Sequence, residues 1–228
     1  MNKITSTEKY ALCMLKDVKK FNNMELSAHI IVSMIVEMIL EGSLELVDKD
    51  KKKKWEIIPD IDVKLGNRLP KEEYNRELYK NIEEINKPKI GIAQIIEKVC
   101  FSFTDKKYKE IIKHLQDKMI NDKLISLEKK KVLLKEKEVI VLNENEFSKT
   151  IGEIRTEFLG NEVYTDEFTL LVSLLNSTNF LKSIFIKYEK ETLKKRVKEI
   201  KQTEIYKQVY IARTVIDQIN ADAMIIMS

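Results

Sequence analysis

From Ala28 to Glu41 nearly every position is apolar, whichever helical face is followed. A helix of that kind has no face to offer solvent, so it belongs at the centre of a helical core. Ser27 stands where an N-cap is expected, and Gly42 supplies the stop. Other segments carry one apolar stripe each. Thr5 to Lys20 repeats at helical spacing through Tyr10, Leu12, Met14 and Leu15. Asp105 to Asn121 does so through Tyr108, Ile111, Ile112, Leu115 and Met119. A helix is predicted up to Ile85 with Pro70 in its first turn, and Pro88 closes that segment. Further helices are predicted over Gly91 to Cys100, Phe147 to Phe158 and Asp166 to Asn176. Three more follow, over Asn179 to Tyr188, Glu189 to Ile200 and Ile205 to Ile226. The run Phe168 to Leu175 is expected to pack against the central helix.

Alternation replaces the helical period in two places. Ser43 to Val47 and Trp55 to Ile58 read as a hairpin, with Asp48 to Lys54 as its turn. Leu124 to Leu127, Val132 to Leu134 and Val139 to Leu142 read as short strands. Helix, helix, hairpin is the plan of a winged-helix unit, and here it recurs with a period of about 80 residues. With only 5 Gly and 3 Pro, the chain is too poor in turn residues for a strand-rich sandwich. The expected fold class is mainly α: a compact helical domain with small β-hairpins, winged-helix-like units around a central apolar helix. No low-complexity linker interrupts it, so one domain over residues 1–228 with a shared core is expected.

The net charge of +4 is modest, and its distribution says more than its sum. Asp105 to Glu138 holds 11 Lys against 7 acidic residues, and Lys182 to Lys201 holds 8 basic against 3 acidic. Such segments are either solvated helix faces or a positive surface turned toward phosphate groups. The N-terminus lacks a basic region followed by an apolar one, and His29 to Leu40, the longest apolar run, is too short to span a bilayer. Cys13 and Cys100 lie far apart in helical contexts, without metal-ligand spacing. The expected place is the cytoplasm, with peripheral contact at the inner face of the membrane.

Catalytic chemistry finds little support. No Gly-rich phosphate loop, His-Glu-x-x-His or Gly-x-Ser-x-Gly occurs, and His29 and His114 sit far apart on predicted helices. Glu37, inside the central apolar run, is read either as a catalytic carboxylate with a raised pKa or as a structural group that accepts from a neighbouring helix end or pairs with an Arg; the second is preferred. Trp55 either covers the core or anchors at a membrane interface. Lys51 to Lys54 form a solvated tip or touch a nucleic-acid backbone. The chain is expected to be no enzyme and to need no cofactor.

A series of segments, in order, resembles the Golgi phosphoprotein 3 family. It begins with Leu15-Lys16-Asp17 and with the helix-to-strand passage Val36 to Leu46, which carries a Glu-Leu-x-Leu-x-Gly-x-Leu-like pattern. Val63 to Leu69 is similar to the family's Gly-Asp/Asn step, and Leu115 to Leu127 to its helix ending before a short strand. Gly152 to Phe158, Asp166 to Phe180 and Lys195 to Ile200 resemble its late helices. The likeness runs from about Thr5 to Met227, and the Lys, Ile and Asn richness suits a prokaryotic member. It implies a peripheral membrane protein that binds phosphatidylinositol 4-phosphate and holds the tails of partner proteins. The family's head-group pocket uses a Trp and several Arg residues, whose places fall near Asn22, Ile31, Lys109 and Ile112. Only Lys109 keeps a positive charge there, and Lys is a poorer bidentate phosphate partner than Arg.

The resulting expectation is a non-catalytic adaptor for anionic phospholipid head groups. Lys109, Lys106 and Lys113 are its anion-binding residues and His114 an auxiliary donor. Anionic phospholipid or a membrane surface is the expected partner, with the tail of a partner protein and a homo-oligomer as further ones. The alternative is a winged-helix-like nucleic-acid-binding regulator, against which the scarcity of Arg counts.

Overall fold

The structure is a computed structural model and describes residues 3–18, 20–21, 24–47, 61–101, 106–132, 135–160 and 163–226. Helix α1 (Ser6–Val18) opens with a capping box: the Thr5 hydroxyl accepts from the Glu8 N–H at 3.2 Å, and the Glu8 carboxylate accepts from the Thr5 N–H at 3.1 Å. The third N–H of that end, Thr7, donates to Glu37 Oε1 at 2.8 Å. Glu37 therefore caps a neighbouring helix from the middle of its own, which is the preferred sequence reading. A carboxylate at a helix N-terminus is also favoured by the aligned peptide dipoles.

Helix α2 (Met24–Glu41) is the core helix that its composition predicts. Ile30, Ile31, Val32, Met34, Ile35, Val36 and Met38 are all fully buried. Ser27 does not cap it. The helix begins three residues earlier, and the Ser27 hydroxyl donates to the Phe21 carbonyl at 3.4 Å instead. At the other end Gly42 adopts φ of 81°, which lets its own N–H reach the Ile39 carbonyl and the Ser43 N–H reach the Met38 carbonyl. Lys123 ends α5 (Lys106–Asn121) in the same way at φ of 59°, with Leu124 returning to the Met119 carbonyl.

Strand β1 (Leu44–Leu46) pairs antiparallel with β2 (Asp62–Leu65); Trp55 to Ile58, expected as its hairpin partner, lie outside the described residues. Gly66 continues the ladder by donating to the Ser43 carbonyl, and a Cβ there would collide with the Gly42 carbonyl oxygen. Strand β3 (Ile90–Gly91) joins the other edge of β2. The first expected hairpin is thus a three-stranded sheet with α3 (Glu73–Glu84) inserted between its second and third strands. Pro70 lies three residues before α3, and its carbonyl accepts from Arg76 Nε at 2.8 Å. The second expected unit keeps its plan: α4 (Ile92–Cys100), α5, and a hairpin of β4 (Ile125–Val132) and β5 (Lys135–Leu142).

Helices α6 (Glu144–Leu159) and α7 (Asp166–Ser177) are capped by Asn143 and Thr165, whose side chains accept backbone N–H groups. Asn143 Nδ2 also donates to the Lys123 carbonyl at 2.9 Å, fastening the start of α6 to the end of α5. Asn179, at φ of 61°, lies just past the end of α7, and the extended Phe185 and Ile186 divide the helix expected from Asn179 to Tyr188 into the single turn α8 (Leu181–Ile184) and a 3-10 turn, Lys187–Glu189. Helices α9 (Lys190–Ile200) and α10 (Glu204–Ile226) complete the chain. Helix α2 packs against α1, α4, α7 and α10, and one connected apolar core runs from Tyr10 to Ile216. The fold is mainly α with small antiparallel sheets.

Burial treats the ionisable groups of this core unequally. His29 is fully buried, with Nδ1 2.7 Å from the Glu25 carbonyl, and burial lowers its pKa to about 4. Cys13 and Cys100 are both buried and are not joined in a disulfide; burial pushes the Cys13 thiol up to about 12. No described helix is long and apolar enough to cross a membrane.

Candidate functional site

Helix α5 presents Lys109, Ile112, Lys113 and Gln116 on one face, at spacings of three and four residues that align side chains along a helix. Three further pieces meet this face: the chain after α1 with Lys20 and Phe21, the end of α4 with Cys100 and Phe101, and Leu127 and Ile140 on the hairpin. Together they enclose a cavity of about 600 Å³. Leu127 and Ile140 are directly opposite each other in the β4–β5 register, so their side chains project from one face of the hairpin as a pair.

The cavity is held by a buried hydrogen bond. The Tyr108 hydroxyl donates to the Phe21 carbonyl at 2.6 Å, tying α5 to the chain between α1 and α2. Burial raises the Tyr108 pKa above its ordinary value, so the phenol stays a donor. Ser27, the residue expected to cap α2, meets the same carbonyl from the other side.

Lys20, Lys109 and Lys113 face Glu138 as the one acidic side chain of the lining. Among the described residues none of these three lysines forms an ion pair. Lysines of that kind keep their charge available to a ligand, and the apolar wall beside them offers a surface to the ligand's apolar part. The arrangement can bind an anion with an apolar body. It offers no nucleophile paired with a base, and among the described residues no group of three His, Cys, Asp or Glu side chains comes together to hold a metal.

The four residues proposed from the sequence separate here. Lys109 and Lys113 share the cavity. Lys106, one turn earlier on α5, lies 4.0 Å from Glu110 Oε1 and does not line it. His114 is half-buried on the adjacent face of the helix and does not line it either. Of the positions that the family likeness points to, Ile112 lines the cavity, Ile31 is fully buried in the core and Asn22 lies outside the described residues. Lys20 carries no signal of its own in the sequence beside Lys16 and Lys19; its role comes from the return of α5 and the hairpin. Phe101, Leu127 and Ile140 carried only the signal of apolar residues at element ends.

No protein-family model matches the chain, and no curated protein matches it significantly.

Proposed function

We propose that the cavity beside α5 receives the phosphate-bearing head group of an anionic phospholipid and makes this chain a non-catalytic peripheral membrane adaptor. The carrying observation is the convergence of Lys20, Lys109 and Lys113, none of them ion-paired among the described residues, on an apolar-walled cavity with one opposing carboxylate, Glu138. The likeness to the Golgi phosphoprotein 3 family supports the same ligand class. Lys in place of Arg makes the contacts point charges without bidentate geometry, so the head group is held by field strength more than by shape. Each lysine near an anionic surface contributes on the order of 1 kcal/mol, which gives reversible, salt-sensitive attachment at the inner face of the membrane. The tail of a partner protein would then be carried to the membrane by the same chain.

Co-sedimentation with vesicles tests this reading. Three sets are compared: one with phosphatidylinositol 4-phosphate, one with phosphatidylglycerol, one with neutral lipid alone. Binding to either anionic set, lost when Lys109 and Lys113 are both changed to Glu, supports the site. Equal binding to neutral vesicles, or competition by duplex DNA stronger than by anionic vesicles, overturns it.

A further inference from the structure

A second cavity, of about 550 Å³, lies between α1, α2 and α7, and Glu37 and Asn75 form part of its wall. Its chemistry is the reverse of the first. Glu37 Oε1 accepts the Thr7 N–H, and Oε2 accepts a long hydrogen bond of 3.4 Å from Asn75 Nδ2, with the Thr5 and Thr7 hydroxyls beside the carboxylate. No cation stands within ion-pairing distance of this carboxylate among the described residues. Asn75 is 2% exposed, and its Oδ1 has no hydrogen-bond partner. Enclosed in that state, the oxygen leaves its partial negative charge uncompensated beside the cavity, which favours a cation there. Ile4, Leu40, Phe168 and Leu171 supply an apolar side to the same cavity.

We propose that this cavity binds a small organic ammonium ion with an apolar tail, its N–H groups donated to the Glu37 carboxylate and its tail laid along Ile4, Leu40, Phe168 and Leu171. An anion is disfavoured by the Glu37 carboxylate. A bare metal ion would find two protein oxygens in a space far larger than itself, where hard cations require six or more ligands. The lysines at the edge do not oppose a cation at full strength, because Lys3 is paired with Glu167 and Lys9 with Glu153. The remaining charged groups toward Glu37 are Glu41, Lys71 and Glu72 in the lining, Glu157 from α6, and Glu8 and Tyr74 behind the wall, with Lys118 held by Glu8. Burial raises the Glu37 pKa to about 7, so the group is ionised, and the cation best held, on the alkaline side of neutrality.

The test is titration of the full chain with hexylamine, hexanol and hexanoate at about pH 8, read by calorimetry and by methyl NMR. A charge-assisted hydrogen bond predicts hexylamine binding at least about tenfold tighter than hexanol. The methyl shifts are expected at Ile4, Leu40 and Leu171 and not at Ile112, Leu127 or Ile140 of the other cavity. Glu37→Gln, if folded, is expected to abolish the preference for the amine. Equal affinity for amine and alcohol, no binding, or shifts confined to other residues would overturn the proposal without bearing on the vesicle result, and the wild-type arms decide it even if the variant does not fold.

Discussion

The cavity beside α5 carries its charge on long lysines at the edge of an open wall, whereas the cavity beneath α1 carries it on a carboxylate set into the protein. At the first, solvent remains next to every charge, so the lysines act through a field that reaches outward. At the second, Glu37 is held by the Thr7 N–H and sunk between α1 and α2 at the cavity wall, so its charge state is at issue and burial raises its pKa to about 7. The difference teaches that side-chain charge alone does not define a site. What matters is how much water the fold leaves beside it, which decides whether the group responds to salt or to pH.

Charge reversal breaks the comparison most sharply. Glu37→Lys places an ammonium against the end of α1 and removes the acceptor of the Thr7 N–H, and is expected to destabilise the protein by about 3–5 kcal/mol in urea unfolding. Lys109→Glu, an equal change of charge on the exposed face of α5, should stay within about 0.5 kcal/mol. Similar losses from both would mean that the two environments are alike. The cost of the second change falls on binding instead: Lys109→Glu with Lys113→Glu should weaken phosphatidylglycerol vesicle binding on the order of tenfold or more.

Acidity sharpens the same contrast. The Glu37 pKa in the folded chain, about 7, lies above its ordinary 4.5. Its contribution to stability is therefore full below about pH 4.5 and lost as the pH rises towards 7. His29 works in the opposite sense, because its value of about 4 lies below the ordinary 6.5. Its contribution is full above about pH 6.5 and lost as the pH falls through 4. In the wild type the two offset each other. Glu37→Gln removes one side, so urea midpoints of the variant should drop more steeply than those of the wild type on acidification from about pH 6.5 to 4. A parallel pair of profiles would show that Glu37 does not titrate differently on folding.

Smaller effects follow from the supports of the basic cavity. Tyr108→Phe removes the hydroxyl that holds the Phe21 carbonyl and should cost about 1 kcal/mol, measured by urea unfolding. Raising salt from about 50 to 300 mM should weaken vesicle binding by more than it weakens hexylamine binding, because screening acts on exposed charges first. Equal salt sensitivity would place both ligands at exposed charge.

Much of the fold was legible because it rests on local rules. The apolar run of α2, the stripes of α1 and α5, and the Gly42 stop each announce themselves within a few turns of chain. The misses are equally specific. Ser27 looks like a cap by residue type, yet α2 begins earlier and the hydroxyl serves the Phe21 carbonyl. Phe185 and Ile186 continue the apolar spacing of a helix, yet both are extended and break the one expected from Asn179 to Tyr188. The pairing of β1 with β2 was not foreseen, because period-two alternation names strands without naming their neighbours. At the basic cavity Lys109 and Lys113 were legible as one face of a helix. Lys20 was not, and neither was the exclusion of Lys106 and His114.

The sequence by itself determined the helical class and the central place of α2, because periodicity is a physical constraint on any fold; it marked Glu37 as a group needing a partner without choosing which. Only the tertiary structure decided which lysines share a cavity, and that Asn75 stands beside Glu37 with an unused acceptor. Those facts depend on distances between elements far apart along the chain, set by how the whole core packs, and no local pattern of residues encodes them.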